Sequence, residues 1–246
     1  MISSESGPVQ LSVVIPVYNE ERNIHETLRR IEVFLSLKGV AWEVLVVSDG
    51  SKDKTHEIVE SILKSRPQLP LKFLCSDTNH GKGYASRRGM LEARGGHVLL
   101  TDADLSAPIK EVDRLIAALE TGAQVAIGSR VVREKDCDVR QSLKRHVSGR
   151  IFNFFVQCLV LPGIHDSQCG FKCFTHQAAQ KLFSLQKLDG FSFDVEVLYL
   201  ARKFGYKIAE VPVMWSQGID SHVNFLRDSF CMLKDLFKIK KLHAGL

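Results

Sequence analysis

The stretch HVLLTDADLSAP, His97 to Pro108, runs a short apolar segment straight into two aspartates one residue apart. In an extended chain alternate side chains point to the same side. The carboxylates of Asp102 and Asp104 can therefore converge on one hard cation, Mg²⁺ or Mn²⁺, whose shell is completed by water and ligand phosphates. Two rival readings exist. A lone D-x-D is also a solvated turn. An aspartyl-phosphate phosphatase places D-x-D-x-T or D-x-D-x-V after its first strand, whereas here the fifth residue is Ser106 and the pair follows the fourth strand.

Outward from that stretch, apolar runs rich in β-branched residues predict strands at 11–18, 42–51, 71–76, 97–104 and 124–130. Helical periodicity fills the gaps. Asn19 is positioned to cap the first helix, in which Ile24, Leu28, Ile31 and Leu35 recur until Gly39; Ile58, Val59, Ile62 and Leu63 line the second. Alternating strands and helices, with strands apolar throughout, predict a mostly parallel sheet covered on both faces. Ligands of such sheets bind beyond the C-terminal strand ends. The clusters PVYNE, SDGS, DAD and GSR fall at four of those ends. After residue 130 the pattern changes to a basic, Phe-rich helix from about 139 to 161, the segment DSQCGFKCF, a short helix, a helix over 193–205, a strand over 206–215 and a final amphipathic helix over about 224–241. No linker divides the chain, so 1–246 reads as one domain.

The 246 residues carry a net charge of +5, too mild to indicate a nucleic-acid partner, and none is expected. Six scattered cysteines without a C-x2-C pair read as reduced thiols in a cytoplasmic protein. The N-terminus has no signal pattern, and no run reaches the roughly 20 apolar residues of a membrane span. NHGKGYASRRG (79–89) lacks P-loop spacing, yet Gly81 and Gly83 would let backbone approach a ligand, with Lys82, Arg87 and Arg88 as cations. Its plain alternative is a turn before a solvated basic helix. Asp49-Gly50-Ser51, taken alone, is a helix-starting turn.

In order along the chain, VVIPVYNEE, VVSDGSKDKT, NHGKGYASRRG, LLTDADLSAP, AIGSR and DSQCGFKCF resemble the motifs of the family 2 inverting glycosyltransferases. The likeness covers about residues 10–240 and is to the branch that charges a polyprenyl (dolichyl-type) phosphate, nearer its glucosyl than its mannosyl members. It implies the GT-A fold, with 10–130 as the nucleotide-sugar half and 131–246 as the acceptor half. It implies UDP-glucose as donor, with GDP-mannose as the alternative, and a divalent metal. By the same resemblance Pro16, Tyr18 and Glu20 border the nucleotide, Asp49 with Val47 holds the base and its ribose side, and Lys82 joins them. Asp102, Ala103 and Asp104 meet the metal and diphosphate, Ser106 stands near the metal shell, and Arg130 neutralises phosphate. Two departures stand out: Ser48 replaces the first Asp of the usual DDGS, and His222 stands about where many members carry a lysine near the diphosphate.

Charge suggests the mechanism. Metal and cations stabilise the leaving UDP, a role expected of Asp102, Asp104 and Arg130. A phosphate acceptor is already ionised near neutral pH and needs no strong base. A hydroxyl acceptor, on a glycan or small molecule, would need one, and Asp166 or Asp194 could serve. A third reading is a sugar-nucleotide-binding module without turnover. Lys144, Arg145 and Arg150 ahead of Phe152, Phe154 and Phe155, and the final helix with Phe237 and Lys238, suit either peripheral membrane contact on the cytosolic face, a membrane-anchored partner, or ordinary core packing.

Overall fold

The structure, a computed structural model, describes residues 8–132, 139–140, 152–216 and 225–246. Strands β1 (Leu11–Val17), β2 (Trp42–Asp49), β3 (Leu71–Ser76), β4 (His97–Leu100) and β5 (Val125–Ser129) alternate with helices α1 (Ile24–Leu37), α2 (Thr55–Ser65), α3 (Lys82–Glu92) and α4 (Val112–Glu120). There follow β6 (Val139–Arg140), a helix through 152–159 (α5), β7 (Lys172–Thr175), α6 (His176–Leu185), α7 (Phe193–Lys203), β8 (Ile208–Pro212), β9 (Trp215–Ser216) and α8 (Phe225–Leu242).

Seven strands form one sheet in the order β3-β2-β1-β4-β7-β5-β8, and β6 pairs with β9 apart from it. All pairings in the large sheet are parallel except those of β7, which runs antiparallel to both neighbours. The two halves expected from the sequence thus share a single sheet, because β7 and β8 come from the second. Period-two alternation splits the core. Val14, Leu45, Val47, Val98 and Leu100 pack toward α3, α5, α6, α7 and α8. Val13, Ile15, Val44, Val46 and Leu99 pack toward α1, α2 and α4. Both faces are covered, which is why these strands are apolar throughout.

Several expectations need correction. The helix expected from 139 does not begin there: Val139 and Arg140 are extended against Trp215 and Ser216, while 141–151 lie outside the described residues. Strand β4 stops at Leu100, and Asp102 and Asp104 belong to the turn after it. Asn19 does not cap α1, which starts at Ile24 after Asn23. Asn19 instead takes a left-handed conformation, φ 56°, and its Oδ1 accepts from the Lys52 N–H at 2.8 Å. With Ser51 Oγ accepting from Asn19 N and Thr55 Oγ1 from Glu20 N, it laces the β1 loop to the β2 loop.

The unexpected strand is β7, within the DSQCGFKCF segment. Its start aligns with the ends of both neighbours, Lys172 pairing with Leu100 and with Ile127. Residues 166–171 therefore enter the sheet between the loop that carries Asp102 and the strand end that carries Arg130. Phe174 anchors the strand, fully buried and edge-on to Phe183 at 5.4 Å. Phe174→Ala should lower the unfolding free energy by about 3–5 kcal/mol in denaturant titration, the usual cost of truncating a core phenylalanine.

Candidate active site

The turn after β4 is fixed from three sides. Thr101 N–H donates to Val14 O at 3.0 Å, continuing the register with β1. Thr27 Oγ1, from α1, donates to the Ala103 carbonyl at 2.5 Å. Leu105 N–H closes the turn onto Asp102 O, with Leu105 at φ 47°, a conformation rare for a γ-branched residue. Asp102 and Asp104 are thus placed by a turn rather than by strand alternation.

Asp104 accepts from Ser106 N at 2.9 Å and from Ser106 Oγ at 2.7 Å. Ser106 is itself buried and orients that carboxylate. Asp102 Oδ1 accepts from Lys82 Nζ at 2.5 Å. Its other oxygen lies against Gly170, where a Cβ would come within 2.0 Å of Oδ2. Burial alone would raise the Asp102 carboxyl, but Lys82, aided by Lys172 and Arg130, holds it below its ordinary value. Burial likewise opposes the charge on Lys82, and Asp102, Asp194 and Asp104 reverse this and raise it. Lys82 is therefore an ammonium placed among carboxylates.

Lys82 owes its place to Asp49. That buried carboxylate accepts from His80 N at 3.0 Å and from Gly81 N at 2.6 Å. Gly81 has φ 118°, and a Cβ there would meet Asp189 O at 2.4 Å. Only glycine allows the turn to sit so close to the 188–190 loop. The contacts of Asp49 are those of a turn holder, in addition to any it makes to a ligand. Of the other residues expected to border a nucleotide, Tyr18 is exposed and Glu20 is half-buried, its carboxylate accepting from Asn23 Nδ2 at 2.8 Å. Pro16 and Val47 are buried, Val47 beneath Gly89, and they back the site. Ser48 is buried too, bonded to Ser51 Oγ and to His56 Nε2 at 2.7 Å. His222 lies outside the described residues.

Across the 166–171 loop, Arg130 continues β5. Its N–H and Nε donate to Asp166 Oδ2, both at 2.8 Å, and Nη2 donates to Oδ1 at 2.7 Å. The guanidinium lies over the Trp215 ring at 5.4 Å. Both oxygens of the buried Asp166 are thus engaged by Arg130, an arrangement that fits a holder of the cation better than a general base. Asp194 is also paired, its Oδ1 at 2.6 Å from Lys172 Nζ, which also donates to Cys169 O. The sequence reading missed Lys172, Gly170, Thr27 and Trp215; the visible signal was DSQCGFKCF, which contains the first two.

The residues present suit a divalent cation. The two carboxylates supply hard oxygen donors, Ser106 orients one of them, and glycine at 170 lets the other lie directly against the 166–171 loop. No cluster of three His, Cys, Asp or Glu side chains suited to a metal occurs among the described residues, so the remaining ligands would come from water and substrate. Cys169 and Cys173 are buried and uncharged, burial pushing them up to about 11 and about 12. With Cys75 and Cys158 they are free thiols.

Comparison with known proteins gives a consistent picture. The glycosyl transferase family 2 profile matches residues 12–183. The chain is 34% identical over 242 residues to the dolichyl-phosphate beta-glucosyltransferase of Dictyostelium discoideum, covering 94% of this chain and 74% of that one. The Drosophila melanogaster enzyme of that name is 36% identical over 246 residues, covering 96% and 76%. Among solved structures, glucosyl-3-phosphoglycerate synthase from Mycobacterium tuberculosis, crystallised with Mn²⁺, UDP-glucose and phosphoglyceric acid, superposes with a TM-score of 0.70 at 19% identity, covering 95% of this chain and 79% of that one. This likeness establishes the GT-A fold.

The Arg130–Asp166 pair has a measurable acid signature. Burial alone would raise the Asp166 carboxyl, and Arg130 more than reverses this, holding it below the usual range. Stability from this pair is therefore fully present above the unfolded value of about 3.9 and is lost as pH falls through the lower folded value. Asp166→Asn should cost about 3–5 kcal/mol at neutral pH, because Arg130 loses its partner. It should also flatten the acid limb of a pH–stability curve below about pH 4, measured by urea titration.

Proposed function

The chain belongs to glycosyl transferase family 2, and from that premise we propose that it transfers glucose from UDP-glucose to the phosphate of a dolichyl-type lipid, inverting the anomeric carbon. The observation that carries the reading is the placement of Asp102, with Lys82 on it, and of Arg130 beside the 166–171 loop, in a chain whose relatives are named dolichyl-phosphate beta-glucosyltransferases. Asp102 and Asp104 would hold Mg²⁺ or Mn²⁺, which when bound would offset the charge of the departing diphosphate. Ser106 keeps Asp104 aimed. Lys82 and Arg130 present fixed positive charge to the same phosphates, preorganised by Asp49 and Asp166. Tyr18 and Glu20 border the nucleotide, backed by Pro16 and Val47, and Ala103 is held in place by Thr27.

A phosphate acceptor fits the electrostatics better than a hydroxyl. The two carboxylates expected from the sequence to serve as a base, Asp166 and Asp194, are both ion-paired. A lipid phosphate brings its own anionic oxygen to the anomeric carbon, so no proton need be removed. The lipid would be met at a bilayer surface, by peripheral contact or beside a membrane-anchored partner. No described helix is long and apolar enough to cross a membrane. Phe154, Phe155 and Phe237 expose their rings, and α8 ends in Lys240 and Lys241, a pattern that suits the interface. Free thiols suit the reducing, cytosolic face.

The test is transfer of labelled glucose from UDP-glucose into organic-extractable lipid, with dolichyl phosphate in detergent. Product is expected only with Mn²⁺ or Mg²⁺ and only with lipid phosphate. Asp104→Asn should lower the rate by about 10²–10³-fold with the melting temperature retained. UDP release that ignores the lipid, preference for GDP-mannose, or tight UDP-glucose binding without turnover would overturn the assignment.

A further inference from the structure

Glu210 lies on the edge strand β8, in register with Ile127, and takes no part in the reading above. An outward-facing glutamate on an edge strand is ordinarily a solvated charge. This one is mostly buried, its side chain 12% exposed. Its carboxylate turns back over the loop that precedes β7. Oε1 accepts from His165 N at 2.9 Å and from Asp166 N at 2.8 Å, and Oε2 accepts from His165 N at 3.0 Å and from the imidazole Nδ1 at 2.8 Å. Two consecutive peptide N–H groups are thus gathered by one anion, which fixes the backbone at Asp166. The Asp166 side chain then holds Arg130 by its main chain, Nε and Nη2.

We propose that Glu210 is a positioning residue for transfer: by clamping the His165 and Asp166 peptides it sets Asp166, and through Asp166 the guanidinium of Arg130. The Glu210 carboxylate is engaged by His165 and the Asp166 peptide, so its influence on Arg130 passes through the Asp166 main chain. The clamp ties the edge strand β8 to the loop that precedes β7. The inference rests on the donor-side role given to Arg130 under the proposed function. Glutamine at 210 would set an NH₂ group against a peptide N–H and lose the charge, loosening the clamp without opening a cavity.

The experiment is a double-mutant cycle in the transfer assay with Glu210→Gln, Arg130→Ala and the double variant. Misplacement of Arg130 should lower kcat by about 10²-fold while the KM for UDP-glucose stays within about threefold. The double variant should be no slower than Arg130→Ala alone. His165→Ala, which keeps both peptide N–H groups, should stay within about twofold of wild type. A readout independent of turnover is Trp215 emission in a Trp42→Phe background, where it is the sole tryptophan; Glu210→Gln should shift it as Arg130 leaves the ring. Should Glu210→Gln not fold, Glu210→Asp, one methylene shorter, goes through the same cycle with the same expectations. Wild-type kcat in the folded variant, additive losses, unchanged Trp215 emission, or a His165→Ala loss equal to that of Glu210→Gln would overturn the assignment. Arg130→Ala at wild-type rate would instead remove the donor-side role of Arg130, a result distinct from one in which Arg130→Ala is slow and Glu210→Gln is not.

Discussion

The site depends on three carboxylates that each have a cation of their own. Asp102 has Lys82, Asp166 has Arg130 and Asp194 has Lys172. Asp166 and Asp194 are buried, and a buried carboxylate without a partner costs several kcal/mol. So close a set of acids would also repel one another and take up protons. The cations keep Asp102 and Asp166 ionised and fixed, with both held below their ordinary values. The chemistry of the site therefore follows from where the three cations are placed, and each comes from a different element: α3, the end of β5, and β7.

That placement is a consequence of topology. An uninterrupted parallel sheet would set β4 and β5 side by side and leave Asp102 close to Arg130, competing with Asp166 for it. Antiparallel β7 separates them by a strand's width. Its first residue, Lys172, is buried between two strand ends, where its ammonium reaches Asp194 and the Cys169 carbonyl. Gly170, two residues before it, packs against Asp102 with no room for a side chain. One short strand thus spaces the two charge pairs and contributes the third cation, and the loop that leads into it forms one wall of the Asp102 cradle.

Much of this was legible in the sequence. Strands β1, β2, β4 and β5 show as apolar runs because both sheet faces are covered there, and polar clusters follow their ends. Asp102, Asp104 and Arg130 fall in those clusters. Strand β7 did not show as a strand because four residues that include a buried lysine carry no strand signal; its lysine is tolerated only through Asp194, twenty-two residues on. The turn at 102–105 was hidden because Leu105, with a positive φ, is neither glycine nor asparagine. Asn19 looked like a cap, and its side chain was claimed by the Lys52 N–H from another loop. The role of Asp166 could not be read from its type, since a base and an arginine holder are the same residue in sequence and differ only in what occupies the oxygens.

That difference bears on the acceptor. A carboxylate held by two or three hydrogen bonds from a guanidinium group is a weak base, because protonation would break the pair that keeps it buried. Asp166 is in that position, and Asp194 shares its oxygen with a fully buried lysine. A general base near neutral pH needs the opposite environment, one that raises its affinity for a proton. An architecture that secures its acids with cations gains fixed positive charge for a departing diphosphate and gives up basicity. Such a site works best on an acceptor that arrives already ionised, and a phosphate monoester is one.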